Sequence, residues 1–123
     1  MKSFYCVICL LAVMLFAIGI NYFYIERFSE NMMQVCEQLD TSKPRETSLE
    51  RVLWVQDQWH KNKKFIQITV NHTEIELIDN AVDELLVFAK QGDEADFENA
   101  KQFAINAFEE LSLSERLTLT NIL

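Results

Sequence analysis

Residues 3–25 read SFYCVICLLAVMLFAIGINYFYI and contain no charged side chain. An α-helix rises about 1.5 Å per residue, so about 20 residues cross a ~30 Å hydrocarbon layer. Tyrosine residues stand near both ends of the stretch, where aromatic side chains meet the membrane interface. The stretch therefore predicts a transmembrane anchor over residues 1–25, followed by a separate domain over residues 26–123.

The charges that flank the anchor predict its orientation. Lys2 and the α-amine precede it, which favours an N-terminus in the cytoplasm and a C-terminal domain outside, although Arg27 opposes this. A cleaved signal peptide is the alternative, because Ala17 and Gly19 supply small residues at the −3 and −1 positions of a cleavage site. Hydrophobicity continues beyond Gly19, and this favours an uncleaved signal anchor in the cell membrane.

Composition narrows the class of protein. The 123 residues include two glycines, one proline and three cysteines, which excludes a disulfide scaffold and most loop-rich β folds. The net charge of −8 argues against a nucleic-acid partner, since nucleic-acid binding needs a basic face. The sequence therefore predicts one acidic domain beyond the anchor.

Apolar residues recur at helical spacing through the outer domain, so we expect an all-α fold in which the transmembrane helix precedes an antiparallel three- to four-helix bundle. Residues 65–70 alternate as a strand would, but a lone strand lacks partners for its amides, and helix is favoured. The predicted core stripes are Phe28, Met32, Val35 and Leu39; Val52, Val55, Trp59, Ile66 and Val70; Ile75, Ile78, Val82, Leu85 and Ala89; and Phe97, Ala100, Ala104, Ala107 and Leu111.

Local signals predict where the helices begin and end. Pro44 follows the first helix, a turn is expected near Asn71, and Gly92 is expected to end a helix before Asp93 opens the next. A hydroxyl residue followed three positions later by a glutamate is typical of a capping box. Such patterns occur at residues 47–50, 73–76 and 112–115, the last before a short amphipathic tail.

Candidate ligands for a metal ion lie near the predicted turn. His72 and Glu76 are four residues apart, the spacing that brings two ligands to one side of a helix, and Glu74 lies between them. A zinc site needs at least three protein ligands, and a capping or hydrogen-bonded role for His72 is the alternative. Neither a nucleophile motif nor a phosphate-binding glycine loop is present, so we expect no enzyme activity and no cofactor.

Aromatic and basic residues lie together in the middle of the chain. Trp54 and Trp59 flank the basic residues of 60–64, a combination that can contact lipid headgroups or an anionic polymer. In the alternative interpretation, Trp59 anchors the core and the lysines cover its edge. Residues 43–64 carry six bases and three acids, whereas residues 74–116 carry twelve acids and three bases. The acidic surface is either solvated or a docking face for a basic partner or a cation.

Three short motifs occur in order along the chain: Trp59-His60-Lys61-Asn62-Lys63-Lys64, Asn71-His72-Thr73-Glu74 and Leu117-Thr118-Leu119-Thr120-Asn121-Ile122-Leu123. In this combination, and after one membrane helix, the chain resembles domain-of-unknown-function family 4363 of short bacterial proteins. The resemblance implies a bacterial envelope location, no assigned activity and an accessory role beside small multi-pass membrane proteins.

The sequence thus favours a non-enzymatic, membrane-anchored envelope protein that contacts the lipid bilayer and binds another membrane or envelope protein; a homo-oligomer stays open. The alternative is a ligand- or metal-binding sensor centred on His72 and Glu76. The terminal segment 117–123 either closes the bundle or contacts the partner. The candidate interaction residues are Trp59, Asn71, His72, Leu119, Asn121, Ile122 and Leu123.

Overall fold

The computed structural model describes residues 1–122, except for the side chains of residues 118, 119 and 122. Within this range the chain forms five helices and no strand, which confirms the all-α class. The helices are α1 (Lys2–Glu37), α2 (Pro44–Thr47), α3 (Leu49–Thr69), α4 (His72–Gln91) and α5 (Glu94–Ile122). The segment that alternates like a strand is helical up to Thr69.

Helix α1 continues without a break from the apolar stretch into the bundle. An 18-residue part of it is long and apolar enough to cross a membrane, a test that a signal sequence also passes, and none of this part is buried against the rest of the chain. From Ile25 onward the same helix enters the core, where Ile25 and Cys36 are both fully buried. The predicted boundary at residues 25–26 therefore falls inside one continuous helix.

The four long helices pack as an up-and-down bundle. Helix α5 packs against α1 and α4, and α4 also packs against α3. Helices α1 and α5 are antiparallel, because Lys101 contacts the carbonyl of Leu39 at one end and Arg116 contacts Glu26 at the other. Every residue of the predicted stripes is buried except Val35, which is partly buried. The periodicity therefore identified the inward face of each helix.

Three aromatic rings from three helices meet in the middle of the core. Phe28, Trp59 and Phe108 are each 6.2 Å from the other two, measured between ring centroids. Phe108 is fully buried, although it was absent from the predicted stripe of α5. This cluster ties α1, α3 and α5 together through a large apolar contact.

One predicted helix end and one predicted helix start are confirmed, and a second predicted start is displaced. Gly92 ends α4 with a φ of 79°, a left-handed conformation that glycine adopts without strain. The Asp93 carboxylate accepts a hydrogen bond from the Asp96 amide and caps α5. The turn lies at Asn71 as predicted, but Asn71 itself caps α4 by accepting from the Thr73 amide at 3.0 Å. Thr73 is therefore inside the helix.

The other two predicted capping boxes are wrong. The Thr47 hydroxyl donates to the carbonyl of Lys43, and the Ser48 hydroxyl donates to the carbonyl of Asp40, so neither caps α3. The third pattern begins at Ser112 and lies inside α5, which continues through it to Ile122. Ser112 and Glu115 are buried against the core. The segment that was predicted to be a separate tail therefore forms the last turns of α5.

Cys36 is fully buried in the bundle. Burial raises the pKa of its thiol to about 12, so the thiolate is scarce at neutral pH. This argues against a disulfide between two copies through Cys36. Cys6 and Cys9 lie exposed on the apolar part of α1.

Candidate functional site

The apolar part of α1 leaves the bundle at one end, which we call the near end. It comprises residues 20–28, 62–69, 71–76 and 113–122. Polar contacts hold α1 to α3 and α5 there, and they fix the height of each helix end relative to α1. Asn21 Nδ2 donates to Thr69 Oγ1 at 3.0 Å, the Tyr24 hydroxyl donates to Asn62 Oδ1, and Arg116 Nε donates to Glu26 Oε1 at 2.9 Å.

Two carboxylates are drawn into the interior of the near end. Glu115 is only 7% exposed, and Oε2 of Glu74 is buried without a hydrogen-bond partner among the residues that the structure describes. Burial raises the pKa of both carboxyls. The Glu74 charge raises the pKa of Glu115 further. For Glu74, a hydrogen bond from Ser114 partly offsets the effect of burial, and the charge of Glu110 raises the pKa. The pair therefore carries electrostatic strain at neutral pH.

This strain predicts a pH-dependent effect of substitution. Because the folded chain protonates Glu115 at a higher pH than the unfolded chain, its contribution to stability rises as the pH falls from 7 toward the usual carboxyl pKa of about 4.3. We expect Glu115→Gln to raise the free energy of unfolding at pH 7 by about 0.5–1 kcal/mol, and this gain to shrink toward about pH 4. Urea unfolding of the full chain in detergent micelles, followed by circular dichroism, measures both values.

The matched control is Glu84→Gln, which removes the same charge from an exposed position of α4. We expect its effect on the free energy of unfolding to stay within about 0.5 kcal/mol. A gain from Glu115→Gln that is independent of pH, or a loss at pH 7, would contradict the burial of a charged carboxylate.

The structure brings together two of the three predicted metal ligands. His72 Nε2 lies 3.0 Å from Glu76 Oε1, and both side chains are largely exposed. Glu74 lies on a different face and accepts a hydrogen bond from Ser114 of α5. Within residues 1–122, no three His, Cys, Asp or Glu side chains are grouped so that they could hold a metal ion. The sensor hypothesis is therefore left with one exposed contact, between His72 and Glu76.

The candidate interaction residues fall in different environments. Trp59 is fully buried, which corrects its place among the residues offered to a partner and supports its role as a core anchor. Asn71 and His72 are exposed at the turn before α4, and Asn121 is exposed in the last turn of α5. The side chains of Leu119 and Ile122, and all of Leu123, lie outside the described residues, so their proposed contacts stay predictions.

A groove of about 320 Å³ lies between α1 and α5 and begins at the near end. Its apolar lining comes from Met33, Ile105 and Leu113, and Leu113 is 47% exposed. Three acidic side chains from both helices surround this lining: Glu30, Glu37 and Glu109. The groove is also lined by Ser112 and by Arg116, whose charge is paired with Glu26. An apolar floor with an acidic rim suits a segment that carries both apolar and basic side chains.

Sequence reasoning missed this groove as a site. The excess of acids in residues 74–116 was visible, but the groove combines them with acids of α1, and only the antiparallel pairing of α1 with α5 brings the two sets together. The sequence indicates only an acidic surface that is either solvated or a docking face for a basic partner or a cation, because the register of two distant helices is not a local property of the chain.

The fold defines a class: a helical-bundle protein whose first helix extends beyond the bundle as an uncovered apolar segment. Residues 20–122 match the protein family described as domain of unknown function DUF4363, and the chain belongs to this family. The match confirms the resemblance carried by the three motifs, and it includes all the bundle helices. No curated protein and no solved structure matches the chain.

Proposed function

We propose that this protein is a non-enzymatic, membrane-anchored envelope protein that binds another membrane protein as an accessory subunit. In this proposal, residues 1–25 span the cell membrane with the N-terminus in the cytoplasm, and residues 26–123 lie outside. Helix α1 carries the proposal, because its first part is apolar and uncovered while its second part supplies the core of the bundle.

The uncovered surface of α1 supports the anchor. Soluble monomers rarely expose a contiguous apolar patch larger than a few hundred Å², because each Å² of apolar surface left in water costs about 25 cal/mol. Large apolar side chains are exposed on all sides of this part of α1, and a lipid environment removes them from water. They are Phe4, Tyr5, Val7, Ile8, Leu10, Leu11, Val13, Met14, Leu15, Phe16, Ile20 and Phe23.

The groove between α1 and α5 supports a protein partner. Residues 30–37 lie about 8–18 Å along α1 from Ile25, so an anchored chain presents the groove close to the membrane surface. A second membrane protein with a basic and apolar segment next to its own transmembrane helix matches both the height and the chemistry of the groove. The anchor also confines both proteins to one plane, which raises their effective concentration.

The test uses the tagged full chain in native membranes, crosslinked before solubilisation. We expect the chain to stay in the pellet after alkaline carbonate extraction and to crosslink to a second membrane protein. The double variant Glu30→Lys with Glu109→Lys reverses the charge of the groove, and we expect it to lower the crosslinked fraction several-fold while leaving the chain in the pellet.

The control is Asp83→Lys with Glu84→Lys, which reverses two charges at exposed positions of α4. It is expected to leave the crosslink unchanged. Extraction of the wild-type chain by carbonate, or a mature chain that begins at Ile20, would overturn the anchor. A crosslink that is absent, or that both double variants weaken equally, would overturn the accessory role of the groove.

A further inference from the structure

The near end of the bundle contains a band without formal charges. Neither residues 65–73 nor residues 117–122 include Asp, Glu, Lys or Arg. The hydrogen bond between Asn21 and Thr69 places the first of these segments beside the last apolar turns of α1. The second lies beside the same turns, because Arg116, directly before it, pairs with Glu26. Two further uncharged segments thus lie beside the C-terminal end of the charge-free stretch of α1, and together they form a broader uncharged surface.

The first charged residues above the band lie at similar heights on different helices. Glu26 of α1 pairs with Arg116 of α5, and Glu74 of α4 contacts Ser114, two residues from Arg116. On α3 the corresponding charge is Lys64, which follows Asn62 and its contact with Tyr24. The boundary between charged and uncharged residues thus lies at a similar height on all four long helices. It defines a plane across the near end of the bundle.

Large apolar side chains project from this band into solvent. Phe65 is 66% exposed, Ile68 is 76% exposed and Leu117 is 66% exposed. Phe65 and Ile68 share one face of α3 with Lys61 and Lys64, since these four residues follow the i, i+3, i+4, i+7 spacing. The outward face of α3 therefore changes from basic to apolar toward its C-terminal end.

The heights along this face match the layers of a bilayer. About 20 residues span the hydrocarbon layer, so a span that begins at Ser3 ends near Tyr22, beside Thr69 and Ile68. Since α3 runs antiparallel to α1, Lys64 lies about 6 Å and Lys61 about 10.5 Å above Ile68. Each headgroup layer is about 5–7 Å thick. Ile68 thus falls at the hydrocarbon boundary, Phe65 and Lys64 fall within the headgroup layer, and the flexible side chain of Lys61 reaches that layer from just above it.

We propose that the near end of the bundle is a membrane-binding surface, in which Phe65, Ile68 and Leu117 insert into the interface of the bilayer while Lys61 and Lys64 bind anionic lipid headgroups. This inference rests on the proposed anchoring of α1 and adds a second contact with the same membrane. The surface restricts rocking of the bundle about α1 and so holds the groove at a fixed height and direction.

The bilayer is the occupant that the geometry favours over a second protein. Outside the apolar part of α1, the three most exposed large apolar side chains that the structure describes are Phe65, Ile68 and Leu117. They lie at the level of the last apolar turns of α1, so an anchored chain brings them to the membrane without further binding. Their order along α3, apolar toward the membrane and basic away from it, is the order of an interfacial helix end. Each lysine near an anionic surface strengthens binding about fivefold.

The experiment measures depth at single positions of the full chain in vesicles. Cys6 and Cys9 are replaced by alanine, and buried Cys36 is retained. A nitroxide label is then placed at Ile68→Cys, or at the control Val87→Cys, which is exposed near the far end of α4. Collision rates with oxygen, which concentrates in lipid, and with a water-soluble nickel chelate are compared in vesicles of phosphatidylcholine with and without phosphatidylglycerol.

We expect the oxygen-to-nickel ratio at position 68 to be several-fold higher than at position 87 when phosphatidylglycerol is present. Replacing Lys61 and Lys64 by glutamine, or omitting the anionic lipid, should lower the ratio at position 68 and leave position 87 unchanged. If the labelled chain floats with the vesicles and positions 68 and 87 give equal ratios, the surface is overturned while the anchor stands.

Two further outcomes also decide the question. A chain that does not float with vesicles overturns the anchor and this inference together. A ratio at position 68 that is equally high in detergent micelles, and that falls on dilution of the protein, identifies a second copy of the chain as the occupant and overturns the lipid surface.

Discussion

Replacing Trp59 by alanine is expected to lower the free energy of unfolding by about 3–5 kcal/mol. The indole is fully buried, its ring contacts Phe28 and Phe108, and its N–H donates to Asp79 Oδ1 at 2.7 Å. The variant loses the transfer free energy of the largest core side chain and leaves a cavity where three helices meet. A domain of this size has a free energy of unfolding of about 5–15 kcal/mol in total, so the variant loses a large fraction of its stability.

The measurement is urea unfolding of the full chain in detergent micelles, followed by far-ultraviolet circular dichroism. Trp54→Ala is the matched control, because Trp54 lies on the same helix with 45% of its surface exposed. We expect a loss below about 1 kcal/mol for this variant. Equal losses from the two substitutions would contradict the placement of Trp59 at the centre of the core.

The inward faces of the helices could be predicted because helical periodicity is a local property of the sequence. Stripes such as Ile75 to Ala89 needed only the 3.6-residue repeat, and the stops at Asn71 and Gly92 needed only local backbone chemistry. The prediction of a helix break at residues 112–115 was wrong because it also used only a local pattern. A serine and a glutamate at capping-box spacing have the same local pattern whether they begin a helix or are buried inside one, as Ser112 and Glu115 are.

The candidate site was less predictable because it depends on which helix ends lie together. Phe65 and Ile68 belong to a segment that alternates locally like a strand, and only the contact between Thr69 and Asn21 places them beside the apolar turns of α1. One sequence signal was available: the absence of Asp, Glu, Lys and Arg from residues 65–73 and 117–122. This absence indicates a shared uncharged surface only when the antiparallel packing brings both segments to the same height along α1.

Asp79→Ala is expected to cost about 1.5–3 kcal/mol, because one carboxylate of α4 serves two donors of α3. Oδ1 accepts from the Trp59 indole at 2.7 Å, and Oδ2 accepts from the Lys63 ammonium at 2.8 Å. Removing the carboxylate leaves a buried indole N–H without its acceptor, and Lys63, about 30% exposed, without its counter-charge.

Asp79→Asn separates these two contributions, since its amide oxygen still accepts from the indole while the charge is lost, and about half of the cost should remain. Asp57→Ala is the control: it removes an exposed carboxylate that pairs with Lys61 on α3, a contact worth less than about 0.5 kcal/mol. The three free energies of unfolding are compared under one set of conditions. If Asp79→Ala and Asp57→Ala differ by less than 0.5 kcal/mol (a threshold of about the size of one exposed ion pair), the carboxylate does not couple α4 to α3. The indole of Trp59 would then be held by packing alone.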